Sequence, residues 1–109
     1  KTAVAFETAS RLGGIIAGGS EEQIEHLADY GKNIGIAYQI RDDLHDWQNE
    51  DKLFNFLIKK SPDPRVVFNR MEDLMKKYSD RALSSIRKIT DSEAKNNLEN
   101  LVMFTRTTV

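Results

Sequence analysis

The chain has 109 residues, 39% of them apolar and 30% charged, with a formal net charge of −1, which describes one small domain or a piece of a larger one. Acid and base are mixed along its length, so the sequence carries no nucleic-acid footprint and no polybasic membrane patch, and without cysteine it can form neither a disulfide framework nor a thiolate metal site. No apolar run approaches the ~20 residues that cross a bilayer, and a composition this polar in so short a chain points to a fragment or a partner-dependent unit.

Thr2 to Ala17 is predicted to be a helix, because Val4, Phe6, Ala9, Leu12 and Ile16 recur at steps of three and four. Gly18 and Gly19 end it, and Ser20-Glu21-Glu22-Gln23 is a capping box that opens the next helix. That second helix runs from about Glu21 to Leu44 or slightly beyond. Its apolar residues Ile24, Leu27, Tyr30, Ile34, Ala37, Ile40 and Leu44 spread around much of the circumference, so it is expected to be central, with neighbours on several sides. Trp47 to Lys60 is mixed: a polar, turn-like Gln48-Asn49-Glu50-Asp51, then a short apolar run, Leu53 to Ile58, of one or two helical turns. Asp63 as N-cap and Pro64 in the first turn open a third long helix, whose stripe Val67, Met71, Leu74, Met75, Tyr78, Ala82, Leu83 and Ile86 continues to about Ile89. Thr90-Asp91-Ser92-Glu93 is a second capping box before a last helix with Ala94, Leu98, Leu101, Val102 and Phe104 on its apolar side. No strand-like alternation, internal repeat or low-complexity tract is present. The fold class is all-α, an antiparallel helix bundle.

Asp42, Asp43 and Asp46 place three carboxylates within five residues at the end of the second helix. With Gln39 at 0° and 100° per residue, Asp42 falls at about 300°, Asp43 at about 40° and Asp46 at about 340°, one face about 100° wide. Ala28, Gly31 and Gly35 fall at about 340°, 280° and 320° on the same face, so small side chains lead to the carboxylates, as in a groove closed by negative charge. Glycines inside a helix cost about 1 kcal/mol each unless close approach of another helix or a ligand offsets them. Like charges repel, and the D-D-x-x-D spacing makes sense if a divalent cation sits there; Mg²⁺ takes oxygen ligands from one or two carboxylates together with phosphate. No Glu or His stands at a spacing that would favour zinc or a di-iron centre. An acidic cluster alone is most often a solvated face. This one ends a buried helix, follows a Gly/Ala stripe and shares its face with Gln39. Lys1, Lys52, Lys59 and Lys60 read either as solubilising charge or as partners for a diphosphate. His26 and His45 read as surface or capping residues, with His45 at about 240°, away from the acidic face; Trp47, Phe54 and Phe56 read as core.

The stretches Tyr30-Gly31, Gly35-Ile36-Ala37-Tyr38-Gln39 and Asp42-Asp43-Leu44-His45-Asp46 resemble the second aspartate-rich region of the trans-isoprenyl diphosphate synthases, the polyprenyl synthetase family. The opening Lys1-Thr2-Ala3-Val4-Ala5-Phe6 is similar to that family's K-T-A-x-L-F segment, and Ala82 to Arg106 is similar in pattern to its C-terminal helices. The resemblance implies the isoprenoid synthase fold, with residues 1–109 as its C-terminal part and the first half, including the first aspartate motif, expected in chain preceding Lys1. It implies a Mg²⁺-dependent prenyltransferase that condenses an allylic diphosphate with isopentenyl diphosphate, in the cytoplasm, as a homodimer formed through the N-terminal part, with no nucleic acid and no stable membrane insertion. Asp42 would ligate Mg²⁺ with Asp43 and Asp46 in support. Lys1 would hold the allylic diphosphate, and Thr2 and Gln39 would lie near the reacting carbon. Lys52 and either Lys60 or Lys59 would take the places of the family's two downstream lysines, and the Ala28, Gly31 and Gly35 stripe would border the prenyl tail.

The sequence departs from the family in three ways. Tyr38 stands in place of the usual Phe, the segment after Asp46 is short, and Phe56 stands where a further Asp is expected. With half of the metal ligands missing, the 109-residue chain is expected to be inactive alone. The competing readings are a non-catalytic subunit that stabilises a catalytic partner, and a helical interaction module with an accidental acidic cluster. Terpene cyclisation shares the fold but uses a different second metal motif.

Overall fold

The computed structural model describes residues 2–46, 53–89 and 92–107 and holds five helices among them: α1 (Thr2–Ile16), α2 (Glu21–His45), α3 (Leu53–Lys60), α4 (Pro64–Ile86) and α5 (Glu93–Thr107). No strand occurs among the described residues. The helix ends follow local chemistry. Gly18 takes φ +75°, the left-handed backbone that closes a helix, and Gly19 N–H donates to Gly14 O at 2.9 Å. Both halves of the Ser20 box form: Gln23 N–H donates to Ser20 Oγ at 3.2 Å and Ser20 N–H to Gln23 Oε1 at 3.0 Å. Asp63 caps α4 by accepting from Arg65 N–H, with Pro64 next in the first turn.

The expected start of α5 shifts. Lys95 N–H donates to the Ser92 hydroxyl, so Ser92 is the cap, two residues beyond the Thr90 of the anticipated box; Thr90 and Asp91 lie outside the described residues. α4 also ends at Ile86 rather than Ile89. Its departing carbonyls are met by the buried Lys95, whose Nζ donates to Arg87 O at 3.3 Å and to Ile89 O at 2.8 Å.

α2 is the central helix, as its all-round apolar pattern predicts. Its first half puts Tyr30 and Ile34 against Ala82, Leu83 and Ile86 of α4 and Val102 of α5. Its second half puts Ala37, Ile40 and Leu44 against Ile58 of α3 and Met75 of α4. α2 and α4 are therefore antiparallel. α1 is antiparallel to α2 as well: Gly14 near its end faces Ile24 and Leu27, while Ala3 at its start faces Gly35. Arg11 joins the pair at the surface, donating to Glu25 at 2.6 Å, and that bond together with the carboxylate charge raises the Arg11 pKa.

Several expected core residues are exposed instead. On α1, Leu12 and Ile16 face outward, Ile16 with 85% of its surface free, and on α5 Ala94, Leu101 and Phe104 do the same. α5 turns Val102, Thr105 and Lys95 inward, with Thr105 Oγ1 donating to Leu101 O at 2.9 Å. On α3 the inward residues are Asn55 and Ile58, so Phe56 lies outside, under Lys60 Nζ at 5.5 Å from its ring centre, and is not core. Trp47 and the Phe54 side chain lie outside the described residues. The principal extents are 50 × 21 × 18 Å and the radius of gyration is 15.5 Å, against about 13 Å for a compact domain of this length.

Candidate functional site

Two helices build the candidate site. The first turn of α1 brings Thr2 to the second half of α2, where its hydroxyl donates to Gln39 Oε1 at 2.9 Å. The other end of the same carboxamide, Gln39 Nε2, approaches Asp43 Oδ1 at 3.4 Å, the longer and weaker contact. Thr2, Gln39 and Asp43 thus form one polar line running from α1 into the acidic turn. Asp42 and Asp43 are half-buried and Asp46 is exposed at the C-cap, where its N–H donates to Asp42 O at 3.0 Å.

The acidic turn is placed against its own helix. The C-terminal end of α2 carries the negative pole of the helix dipole, so each carboxylate there costs about 0.3–1 kcal/mol. Burial of Ile40 and Leu44 in the α2–α3–α4 core holds the turn. Arg41 supplies positive charge just before the last turn; its guanidinium carbon lies 5.8 Å from the Tyr38 ring centre and 4.8 Å from that of Phe104 on α5. Tyr38 in turn meets Phe6 of α1 edge-on at 6.0 Å. Sequence reasoning did not single out this stack. The Tyr38–Arg41 spacing of three carries its local half, whereas Phe104 lies 63 positions further on and joins only through the packing of α5.

The small-residue stripe is filled by protein. A Cβ on Gly31 would strike the Phe6 carbonyl oxygen and stand 2.5 Å from Ser10 Oγ, and one on Gly35 would stand 2.7 Å from Ala3 Cα. Close approach of a helix, not of a ligand, offsets the cost of the glycines, and Ala28, Gly31 and Gly35 are buried. The groove expected along this face is occupied by α1, so Gly35 does not line open space for a prenyl tail. An apolar cavity of about 150 Å³ does open beside it, between α1, α2 and α5, lined by Phe6, Ser10, Tyr30, Ile34 and Leu98 among others. There the Tyr30 hydroxyl donates to Leu98 O at 2.9 Å, and burial pushes its pKa up to about 12.

Lys1 and Lys52 lie outside the described residues. Lys59 and Lys60 are exposed at the end of α3. His26 is partly exposed, 3.6 Å from Glu22 one turn back. Among the described residues no three Asp, Glu or His side chains gather closely enough to share one metal ion. The donors that are present, Asp42 and Asp43, are hard carboxylate oxygens. They suit Mg²⁺ held by one or two carboxylates with phosphate oxygens and water making up the rest. No helix among the described residues is long and apolar enough to cross a membrane.

An all-α bundle with a D-D-x-x-D turn at the end of its central helix defines a class, and comparison with known proteins identifies it. Residues 1–56 match the family described as polyprenyl synthetase, and the chain belongs to that family. It is 50% identical over 46 residues to geranylgeranyl pyrophosphate synthase 12, chloroplastic, of Arabidopsis thaliana, a match that covers 42% of this chain and 13% of that protein. It is 42% identical over 52 residues to the short chain isoprenyl diphosphate synthase of Methanothermobacter thermautotrophicus, 48% of this chain and 16% of that one. Among solved structures, a decaprenyl diphosphate synthase from Rhodobacter capsulatus superimposes with a TM-score of 0.74 at 27% identity, over 100% of this chain and 47% of that one. The fold is thus the all-α isoprenoid synthase fold, and the chain spans under half the length of that structure.

Proposed function

We propose that this chain is the C-terminal part of a longer prenyltransferase and carries the second aspartate-rich half of its site. The whole protein condenses an allylic diphosphate with isopentenyl diphosphate to a longer polyprenyl diphosphate, of the geranylgeranyl or farnesyl type. The observation that carries the reading is the polar line Thr2–Gln39–Asp43, which ties the turn bearing Asp42 and Asp46 to the helix that follows Lys1. Family membership and the names of the relatives, all prenyl diphosphate synthases, support the chemistry.

Asp42 would ligate Mg²⁺, with Asp43 and Asp46 supporting it through water or through contacts to the groups that bind it. The bound ion supplies charge neutralisation for a departing diphosphate. Lys1, Lys52 and Lys60 would donate charge-assisted hydrogen bonds to the diphosphate oxygens. Gln39 Oε1 already accepts from Thr2, so the carboxamide is fixed with its oxygen toward α1. Placed beside the allylic carbon, the two oxygens stabilise the positive charge that develops as the carbon–oxygen bond to diphosphate breaks. The new carbon–carbon bond forms to isopentenyl diphosphate, and loss of one proton restores a neutral double bond. Homodimerisation through the N-terminal part and a cytoplasmic location belong to the same reading.

The test is an assay of the full-length protein with Mg²⁺, isopentenyl diphosphate and allylic diphosphates of several lengths, beside Asp42→Ala. The variant is expected to lose at least about 100-fold in rate, on the scale of removing one preorganised charge-stabilising group; an unchanged rate would remove the metal assignment. The 109-residue chain by itself is expected to show no turnover, and activity there would overturn the half-site reading.

A further inference from the structure

We propose that Phe104 is a positioning residue for the acidic turn of α2 and acts through Arg41, an inference that rests on the synthase reading above. The turn needs holding: it lies at the negative pole of α2 and carries Asp42, Asp43 and Asp46. Arg41 lies about 200° around the helix from Gln39, on the side away from the polar line. Its guanidinium packs on Phe104 at 4.8 Å and on Tyr38 at 5.8 Å, and Tyr38 packs on Phe6 at 6.0 Å. The contact chain Phe104–Arg41–Tyr38–Phe6 therefore joins α5, α2 and α1 at the level of the site, one helix face away from the bond between Thr2 and Gln39.

Unwinding or rotation of the last turn of α2 would pull Arg41 off the Phe104 ring and tilt Asp42 and Asp43 together. Phe104 is itself half exposed, while α5 is anchored by the fully buried Val102 and Thr105. The ring is thus held on α5 in contact with Arg41, where it can act as a clamp. An Arg–aromatic contact supplies orientation as well as energy, because the planar guanidinium stacks on the ring face.

The experiment uses the full-length protein with Phe104→Leu and Phe104→Tyr. Phe104→Leu is expected to raise the Mg²⁺ concentration for half-maximal rate about three- to tenfold, with the melting temperature nearly unchanged, and Phe104→Tyr to restore the wild-type value. Amide hydrogen exchange at residues 41–46 is expected to quicken in Phe104→Leu while exchange in α4 stays as it was. The proposal is overturned if Phe104→Leu keeps the wild-type Mg²⁺ dependence and exchange, or loses activity only in proportion to a lower melting temperature. A wild-type protein without prenyl transfer sinks the synthase reading instead, and the exchange comparison then still decides whether Phe104 holds the turn.

Discussion

The Thr2 hydroxyl donates to Gln39 Oε1 at 2.9 Å, joining the first turn of α1 to the second half of α2 across 37 positions of sequence. The bond is exposed, so its net contribution to stability is small, at most about 1 kcal/mol. Its effect on the orientation of the Gln39 carboxamide is larger, since without it the amide can rotate and exchange its oxygen for its nitrogen. Thr2→Val keeps the shape and removes the donor. In the full-length protein it is expected to lower kcat about tenfold with little change in melting temperature, and equal kcat values for variant and wild type would show that the bond plays no part in the reaction.

The glycines of α1 and α2 separate two kinds of site by the sign of one substitution. A Cβ at Gly13 would have nothing within 4 Å, and Gly13 is exposed inside α1, so Gly13→Ala is expected to stabilise the chain by up to about 1 kcal/mol. Gly31→Ala meets backbone atoms of Phe6 that cannot swing aside, with the Phe6 carbonyl carbon at 2.8 Å. It is expected to destabilise by about 1–3 kcal/mol despite the better helix propensity of Ala. Thermal melts followed by circular dichroism check both, and a shift of the same sign in the two variants would contradict the packing of α1 on α2.

Burial of Tyr30 makes stability depend on pH in the alkaline range. Its folded pKa is raised to about 12 from 10.0 because the phenol is taken out of water. Below pH 10 the hydroxyl is protonated in both the folded and unfolded states, and its full contribution is present. Between pH 10 and about 12 the unfolded state loses the proton first, so stability falls as pH rises. Urea midpoints measured from about pH 9 to 12 in wild type and Tyr30→Phe should differ below pH 10 and converge above it, over the range set by that shift. Parallel curves would place the phenol in water.

The helices were legible because their ends are local. Ser20 with Gln23, Asp63 with Pro64, and Gly18 each act within a few residues, and each does in the structure what its spacing predicts. The central place of α2 was legible too, since apolar residues all around a helix need neighbours all around it. Partners were not legible. Periodicity groups Leu12 with Ile16, and Leu101 with Phe104, on one helix face each, but does not tell whether another helix covers that face. The stripe at Gly31 and Gly35 fixed a close approach; only the position of Phe6 and Ser10 decides that α1 makes it. At the site, the shared face of Gln39 and Asp43 followed from helix geometry, whereas the bond from Thr2 and the stack on Phe104 depend on contacts between helices.

Lys95 gives the last expectation. It is a buried lysine whose ammonium closes the end of α4 by donating to Arg87 O and Ile89 O, at 3.3 and 2.8 Å. A buried cation is stable only where its hydrogen bonds are made, and here the carbonyls of a helix end supply both the acceptors and the negative pole. Lys95→Met keeps the apolar stem and removes the donors, leaving two carbonyls short of a partner. It is expected to cost about 1–3 kcal/mol, read as a lower urea midpoint with an unchanged slope. Lys95→Arg keeps a cation but asks the site to hold a larger planar group, so it should recover only part of the loss. Because α5 is the helix that carries Phe104, the Met variant should also quicken exchange at residues 41–46. Loss of stability without that change would show that the turn between α4 and α5 and the acidic end of α2 are independent.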